Sequence, residues 1–215
     1  GRIMSPPSNC SNRLWEISTL DSPRDTVEAK RCREIRPLLD SVDFLLDIHS
    51  MQHPTQALML AGPLPKGRAL AERVGVPLSV VMDHGHAAGR RMRDYQAFSD
   101  PATHHAALLV ECGQHWARSS VDVARQTMVR FLVSTGIADP VMINDWLGGD
   151  IPAPQRVIEV TAAITVENAT FTFVEPYIGM EVIANSGTLL AMDGDTPIYT
   201  PHDNCVLIMP SRRLG

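Results

Sequence analysis

Lysine, aromatic residues and closely spaced cysteines are scarce in this sequence. Lys30 and Lys66 are its only lysines, aromatic residues make up 5% of it, and its formal net charge is −5. Such a chain has no general attraction to nucleic acid or acidic membrane, so we expect neither as a partner. The four cysteines form no Cys-x-x-Cys pair. Their spacing argues against a disulfide framework or a zinc knuckle and predicts a cytoplasmic protein.

The overall composition is that of an ordinary globular protein. Of the 215 residues, 44% are hydrophobic and 20% are charged, enough to bury one large core or two smaller ones. No apolar run is long enough to span a bilayer. The chain begins at Gly1 and stops abruptly at Gly215, and we expect it to be a segment of a longer protein.

Up to residue 147, apolar segments of strand length alternate with amphipathic helical segments. Strands are predicted over residues 42–48, 57–60, 78–82 and 106–110. Helices are predicted from Ser22, over Pro65–Val74, and from Ser119 or Ser120 to residue 135. This alternation predicts an α/β fold, with a sheet covered by helices on both faces.

The pattern changes after the turn-rich stretch at residues 146–150. Short β segments follow, separated by Gly, Pro, Asp and Asn, over residues 157–166, 170–174, 181–184, 189–192 and 205–209. We interpret residues 1–150 as an α/β domain and residues 151–215 as a small all-β barrel or sandwich.

Asp47 and His49 lie at the carboxyl end of the first predicted strand. Alternate residues of a strand share a face, so these two side chains should point to the same side. Sites form at this edge of open α/β sheets, and a histidine beside a carboxylate suits a metal ligand with an outer partner. The alternative is that both are ordinary polar residues at a strand end.

Glu111 directly follows the apolar strand predicted over residues 106–110. Partial burial would raise the pKa of its carboxyl group towards the range of a general base. The alternative is a structural ion pair with an arginine. His49 and Glu111 are far apart in sequence, but both follow strands, and we hypothesise that they converge at one edge of the sheet.

Other histidines compete for a functional role. His84 and His86 follow the third predicted strand, at a spacing that allows chelation if the loop permits it. His104 and His105 are neighbours whose side chains would point apart in an extended chain. Solvated loop residues are the simpler interpretation for all four.

Cys112 offers a different chemistry, that of a thiol nucleophile. Its base would be His115 or His49, and nucleophile and base must lie within hydrogen-bond reach. Because Cys112 follows Glu111 directly, its side chain should point to the opposite face of the sheet. That placement favours a small buried residue instead.

Three short motifs occur in a recognisable order: Asn12-Arg13, Leu46-Asp47-Ile48-His49-Ser50 and Val110-Glu111-Cys112-Gly113. Together they resemble the succinylglutamate desuccinylase/aspartoacylase family, relatives of the zinc carboxypeptidases. The resemblance runs from Asn12 nearly to the end of the chain. It implies a mixed sheet flanked by helices, as in zinc carboxypeptidases, with a small C-terminal all-β domain.

The resemblance also implies a zinc site with assigned residues. His49 is the implied zinc ligand, and Asp47 is the carboxylate that orients a ligand histidine from outside the metal's own ligands. Glu111 is the implied catalytic base. The implied substrate-binding residues are Asn12, Arg13, Arg90 and Arg91. The family's other two zinc ligands form a His-x-x-Glu pair upstream of the Asn-Arg motif. None of the eight histidines here has a glutamate three residues on. The missing pair is expected upstream of Gly1, or else the chain is a relative that has lost zinc.

The activity that the resemblance implies is zinc-dependent hydrolysis of an N-acyl amino acid or a similar small amide that bears a carboxylate. Two alternatives stay open: a metallocarboxypeptidase acting on peptides, and a metal-free binding protein on an old hydrolase scaffold. A groove left open by the β domain would favour peptides, whereas occlusion would favour small acylated amino acids. The expected partner is a small-molecule substrate, and the sequence leaves a homo-oligomer open.

Overall fold

A computed structural model describes residues 13–84, 89–141, 143–147 and 153–210. Its helices are α1 (Ile17–Leu20), α2 (Val27–Leu39), α3 (Pro65–Val74), α4 (Arg118–Ser134) and α5 (Asn144–Leu147). Its strands are β1 (Phe44–Met51), β2 (Leu58–Leu60), β3 (Ser79–Met82), β4 (Ala106–Gln114), β5 (Arg156–Glu159), β6 (Thr172–Phe173), β7 (Val182–Ile183), β8 (Leu189–Asp193), β9 (Thr196–Tyr199) and β10 (Cys205–Val206). Two short 3-10 turns, Met92–Asp94 and Gln96–Ser99, lie between β3 and β4.

Five strands form a mixed sheet in the order β1-β4-β2-β3-β5. β1 runs parallel to β4, and β3 runs parallel to both β2 and β5. The junction between β4 and β2 is antiparallel. The predicted α/β fold with a mixed, helix-flanked sheet is therefore confirmed.

The side chains of β4 alternate between two buried faces of this sheet. Leu108 and Val110 pack in a cluster with Leu70 of α3 and Phe131 of α4. On the other face, Ala107 joins a cluster that includes residues of α1 and α2. Burial on both faces explains the continuous apolar sequence of this strand. By the same alternation, Glu111 belongs to the face of Ala107, away from α3 and α4.

The sequence signals locate the ends of α3 but not the start of α2. α3 begins at Pro65 and ends at Val74, directly before Gly75, whose φ of 74° suits a residue without a Cβ atom. α2 begins later than Ser22, because the Thr26 hydroxyl oxygen accepts a 3.2 Å hydrogen bond from the Ala29 N–H and caps the helix there.

The C-terminal region forms two small antiparallel sheets, β10-β7 and β6-β8-β9. β5, which lies beyond the predicted boundary at residue 150, instead pairs with β3 in the main sheet. Met180 packs against Leu58 and Leu60 of β2, in a cluster that also includes Val206. The C-terminal region therefore lies directly on the main sheet. Its separation as a domain at residue 150 stays a prediction.

α4 covers one face of the sheet together with α3. It has 17 residues and buries Thr127, Val129 and Phe131, while Val121 is exposed to solvent. Across the described ranges, no helix combines the length and the apolar composition that crossing a bilayer requires.

Candidate active site

β1 presents Asp47 and His49 near its carboxyl end. The Nε2 atom of His49 lies 2.9 Å from Oδ1 of Asp47, and Asp47 is only 9% exposed. The hydrogen bond with Asp47 raises the pKa of His49, and burial partly offsets this effect. The contact holds the imidazole ring in place and leaves Nδ1 as the ring nitrogen that could bind a cation.

Glu111 stands beside His49 on the neighbouring strand. The sequence predicted that this strand ends at residue 110. In the structure β4 is longer, because its pairing with β1 continues through His49 and Glu111 to Gln114. The two residues are register partners on adjacent parallel strands. The structure thus brings together the histidine and the glutamate that were expected at one edge of the sheet.

The Glu111 side chain is half-buried, and one of its carboxyl oxygens is buried without a hydrogen bond. Its Oε2 atom has no hydrogen-bond partner within the described ranges. Burial raises the pKa of Glu111 to about 7, although the charges of His49 and Arg91 act in the opposite direction. A carboxyl group that titrates near neutral pH can both accept and release a proton, as general acid–base catalysis requires.

Of the two arginines predicted on the loop before β4, Arg91 lies near this site and Arg90 is held elsewhere. Arg91 is 8% exposed, and its charge acts on both His49 and Glu111. The Nε atom of Arg90 donates a 2.9 Å hydrogen bond to Oε2 of Glu16, in an exposed ion pair. Arg91 is therefore the better placed of the two to meet a substrate.

Asp83 is a candidate positioning residue that the sequence interpretation missed. It directly follows β3 and is 6% exposed. The Nη1 atom of Arg91 donates a 2.9 Å hydrogen bond to its Oδ2, and Nη1 of Arg93 lies 3.0 Å from its Oδ1. Arg93 also lies 2.8 Å from Asp94, so two carboxylates offset two buried guanidinium groups. A carboxylate directly after an apolar strand, the signal that marked Glu111, could have identified Asp83.

Arg13 lies against the loop that carries Arg91. A Cβ atom on Gly89, whose φ is 133°, would come within 2.5 Å of the Arg13 carbonyl oxygen. The Trp15 N–H donates a 3.2 Å hydrogen bond to the Arg90 carbonyl. These contacts hold the segment of Arg13 beside this loop. Asn12, its predicted companion, lies outside the described residues.

Cys112 faces away from Glu111, as its position in the strand predicted. It is 3% exposed and packs in the cluster beneath α3 and α4. Burial raises the pKa of its thiol to about 11, so a thiolate nucleophile is not formed near neutral pH. Of the histidines after β3, His84 is exposed and His86 lies outside the described residues.

The site offers a cation one histidine and buried carboxylate oxygens. Oδ2 of Asp47 and Oε2 of Glu111 both lack hydrogen-bond partners in the described part of the chain, and a nearby positive charge would compensate them. A catalytic zinc site needs three protein ligands. Among the described residues, His49 is not part of a group of three potential ligands within 4.8 Å of one another. The residues present fit part of a zinc site, and its completion requires ligands from outside the described ranges.

The C-terminal region packs against the loop that follows β1. A Cβ atom on Gly179 would lie 2.6 Å from the Thr55 side chain, and one on Gly113 would lie 4.0 Å from the Thr55 carbonyl oxygen. Gly113 is two positions beyond Glu111, so the backbone of Thr55 lies near this side of the candidate site. The loop after β1 is thus enclosed between β4 and the C-terminal region.

No protein-family model matches the chain, and no curated protein sequence matches it. Solved structures do match. Succinylglutamate desuccinylase from Vibrio cholerae is 17% identical, with a TM-score of 0.67 over 95% of this chain and 61% of that one. The Vibrio parahaemolyticus enzyme of the same name is 15% identical, with a TM-score of 0.64 over 95% of this chain and 62% of that one.

A succinylglutamate desuccinylase/aspartoacylase from Rhodobacter sphaeroides is 15% identical, with a TM-score of 0.61 over 90% of this chain and 60% of that one. The chain therefore spans about three fifths of the length of these structures. The resemblance seen in the three sequence motifs extends to the three-dimensional structure. The chain has the fold of succinylglutamate desuccinylase/aspartoacylase proteins.

Proposed function

We propose that this chain belongs to the succinylglutamate desuccinylase/aspartoacylase family and hydrolyses the amide bond of an N-acyl amino acid, or of a similar small amide that bears a carboxylate. The observation that carries the proposal is the buried, unpartnered carboxyl oxygen of Glu111 beside the His49–Asp47 pair. A buried group of this kind with a strongly raised pKa is typical of a catalytic site. The fold of known deacylases supports the same assignment.

Glu111 is the proton-transfer group in this proposal. Its Oε2 atom accepts a proton from the water that attacks the amide carbonyl carbon. The same carboxyl group then gives the proton to the departing amine nitrogen. A pKa of about 7 suits both steps, because a general acid–base works best when its pKa is close to the working pH.

His49 is the ligand that this chain offers to zinc, and Asp47 orients it. A carboxylate that hydrogen-bonds one nitrogen of a ligand histidine fixes the ring and raises its basicity at the other. Zinc, when bound, supplies a Lewis acid and lowers the pKa of water to about 7. The other two ligands would come from outside the residues that the structure describes.

In the zinc-loaded protein, His49→Ala should lower the zinc content by one ion per chain. The expected cause is the loss of one of three ligands, and the measurement is elemental analysis of the purified protein. His202→Ala, which changes an exposed histidine of the C-terminal region, is the control and should leave the zinc content unchanged. Equal zinc content in the His49 variant would remove His49 from the ligand set.

Arg91 and Arg13 are the proposed binders of the substrate carboxylate. A guanidinium group matches a carboxylate with paired, charge-assisted hydrogen bonds. Asp83 holds Arg91 at the site through a 2.9 Å hydrogen bond. Arg13 approaches from the neighbouring segment, where Gly89 permits close backbone contact.

Arg13→Ala should raise KM about 10- to 100-fold for carboxylate-bearing substrates, because a charge-assisted hydrogen bond is worth about 1.5–3 kcal/mol. Steady-state kinetics on N-acyl amino acids and on their neutral amides would measure this. Arg90→Ala is a matched control, since Arg90 is engaged by Glu16 and its loss should leave KM unchanged. If both variants shift KM equally, Arg13 has no specific role.

The close packing of Gly179 on Thr55 supports a small substrate over a peptide. A C-terminal region seated against the loop after β1 limits the space for an extended chain beside Glu111. A metallocarboxypeptidase needs an open groove at that position. A panel of N-acetyl and N-succinyl amino acids, with dipeptides for comparison, tests the choice, and faster cleavage of dipeptides would favour the peptidase.

A metal-free binding protein is the second candidate, because His49 belongs to no group of three converging ligands among the described residues. A native mass spectrum of the purified protein separates the two functions. A bound zinc ion that His49→Ala removes, together with hydrolysis of an acylated amino acid, supports the deacylase. Binding of N-acyl amino acids without zinc or turnover supports the binding protein.

A further inference from the structure

Asp43, His104 and His105 form a cluster at the opposite end of the sheet from Glu111. Asp43 immediately precedes β1, and the two histidines immediately precede β4. Phe44 and Ala106 are register partners, and the Ala106 N–H donates a 3.0 Å hydrogen bond to the Asp43 carbonyl. Parallel pairing of the two strands therefore fixes the backbones that carry all three side chains.

The three side chains converge on one oxygen atom. The Nε2 atoms of His104 and His105 lie 2.9 Å and 3.5 Å from Oδ1 of Asp43. The imidazole rings are stacked, with centroids 4.5 Å apart and planes at 28°. The sequence-based prediction that these histidines point apart is wrong, because the chain at residues 104–105 is not part of a strand and lets both rings turn towards Asp43.

We infer that Asp43, His104 and His105 form a second divalent metal site, suited to zinc and similar transition ions. One nitrogen from each histidine and one carboxylate oxygen lie within 4.8 Å of one another. Ligand atoms about 2.0–2.1 Å from a tetrahedral zinc ion lie about 3.3 Å apart. Two of the three observed spacings, 2.9 Å and 3.5 Å, bracket that value, and the two histidine nitrogens lie within 4.8 Å of each other.

The ligand types and the surroundings define the class of ion. Two imidazole nitrogens favour zinc, nickel, cobalt or copper, whereas magnesium and calcium require oxygen ligands. Asp43 and His104 are exposed, with side-chain accessibilities of 60% and 71%, so an ion can enter and water can complete its coordination. The ion therefore does not have to pass through a buried cavity to reach its ligands.

The environment of His105 sets a limit on the affinity. Its Nδ1 atom is buried and has no hydrogen-bond partner among the described residues. When a metal binds Nε2, the ring proton resides on Nδ1, and metal sites usually supply an acceptor there. Without one, metal affinity is about 10- to 100-fold weaker. We therefore expect weaker zinc binding than at a site where each ligand histidine has such an acceptor.

This site is separate from the proposed catalytic centre. His105 and Glu111 lie along the same chain direction, and a strand rises about 3.3 Å per residue, so the two are roughly 20 Å apart. A metal at Asp43 cannot take part in proton transfer at Glu111. It would instead link the two loops that precede β1 and β4. These are the parallel strands that carry His49 and Glu111.

Isothermal titration of the chain with zinc chloride at neutral pH tests the inference. The background is His49→Ala, which removes the one ligand assigned to the catalytic site. One zinc ion should bind per chain, and adding His104→Ala or Asp43→Asn should weaken binding more than about tenfold. There are two controls. The His202→Ala variant should bind zinc as before, and titration with magnesium instead of zinc should show no binding.

Thermal unfolding gives an independent readout. With zinc at about 100 times its dissociation constant, the melting temperature should rise by about 5 °C, and the rise should disappear in the His104 and Asp43 variants. Absence of zinc binding in the His49→Ala background would overturn the inference. So would binding that neither His104→Ala nor Asp43→Asn weakens.

Discussion

Glu111→Gln should lower the rate of amide hydrolysis by about 10²–10⁴-fold, the typical contribution of a general base. Glutamine keeps the size of the side chain and its hydrogen-bonding atoms, but it cannot accept a proton from water near neutral pH. Substrate binding and zinc content should remain close to those of the unmodified protein. A variant with retained turnover would show that Glu111 is not the base.

The same substitution should make the folded protein more stable at high pH. The pKa of Glu111 in the folded state is raised from 4.5 to about 7 by burial, so the folded state favours the protonated form. The stabilising contribution of this group is fully present below about pH 4.5 and is lost as the pH rises through about 7. The loss corresponds to roughly 3 kcal/mol. Glutamine does not titrate and suffers no such loss.

Urea denaturation of the metal-free chain at about pH 5 and about pH 8 measures this difference. The free energy of unfolding of Glu111→Gln, relative to the unmodified chain, should increase by about 2.5 kcal/mol between the two conditions. Glu72→Gln is the control, because Glu72 lies on the exposed side of α3 in an ion pair with Arg68. If the two variants respond equally to pH, burial does not set the pKa of Glu111.

The sequence predicted those parts of the fold whose signals are local. α3 runs over Pro65–Val74, as predicted, because a proline and a glycine mark its two ends. The apolar runs located β1 to β4. β9 (Thr196–Tyr199) was missed because it contains Pro197 and follows Gly194, residues typical of turns. It forms as the partner of β8, and that pairing depends on tertiary structure.

The candidate site shows the same division. The alternation of side chains along a strand was enough to predict that Asp47 and His49 share a face. The same alternation predicted that Cys112 points to the opposite face from Glu111. Sequence could not show that Arg90 pairs with Glu16, because the two are 74 positions apart. The position of Asp83 directly after a strand could have marked it as a candidate, but no short pattern predicts that Arg91 and Arg93, 8 and 10 positions further on, both contact it.

Asp83→Ala should destabilise the folded protein by about 3–5 kcal/mol, the usual cost of removing one partner from a buried ion pair. Asp83 contacts two guanidinium groups, and the side chains of Arg91 and Arg93 are only 9% and 1% exposed. Without Asp83, Arg91 has no salt-bridge partner among the described residues, and Arg93 keeps only Asp94. Water cannot replace the lost carboxylate at such buried positions.

Asp25→Ala is the matched control for this prediction. It removes an ion pair of similar length, 2.8 Å to Lys30, whose side chains are 76% and 57% exposed. Exposed pairs contribute at most about 1 kcal/mol, because water solvates both charges once the pair is broken. Urea denaturation of the two variants side by side compares a buried carboxylate with an exposed one. Equal costs would mean that the Asp83 network is open to water, and that Asp83 does not hold Arg91 rigidly beside Glu111.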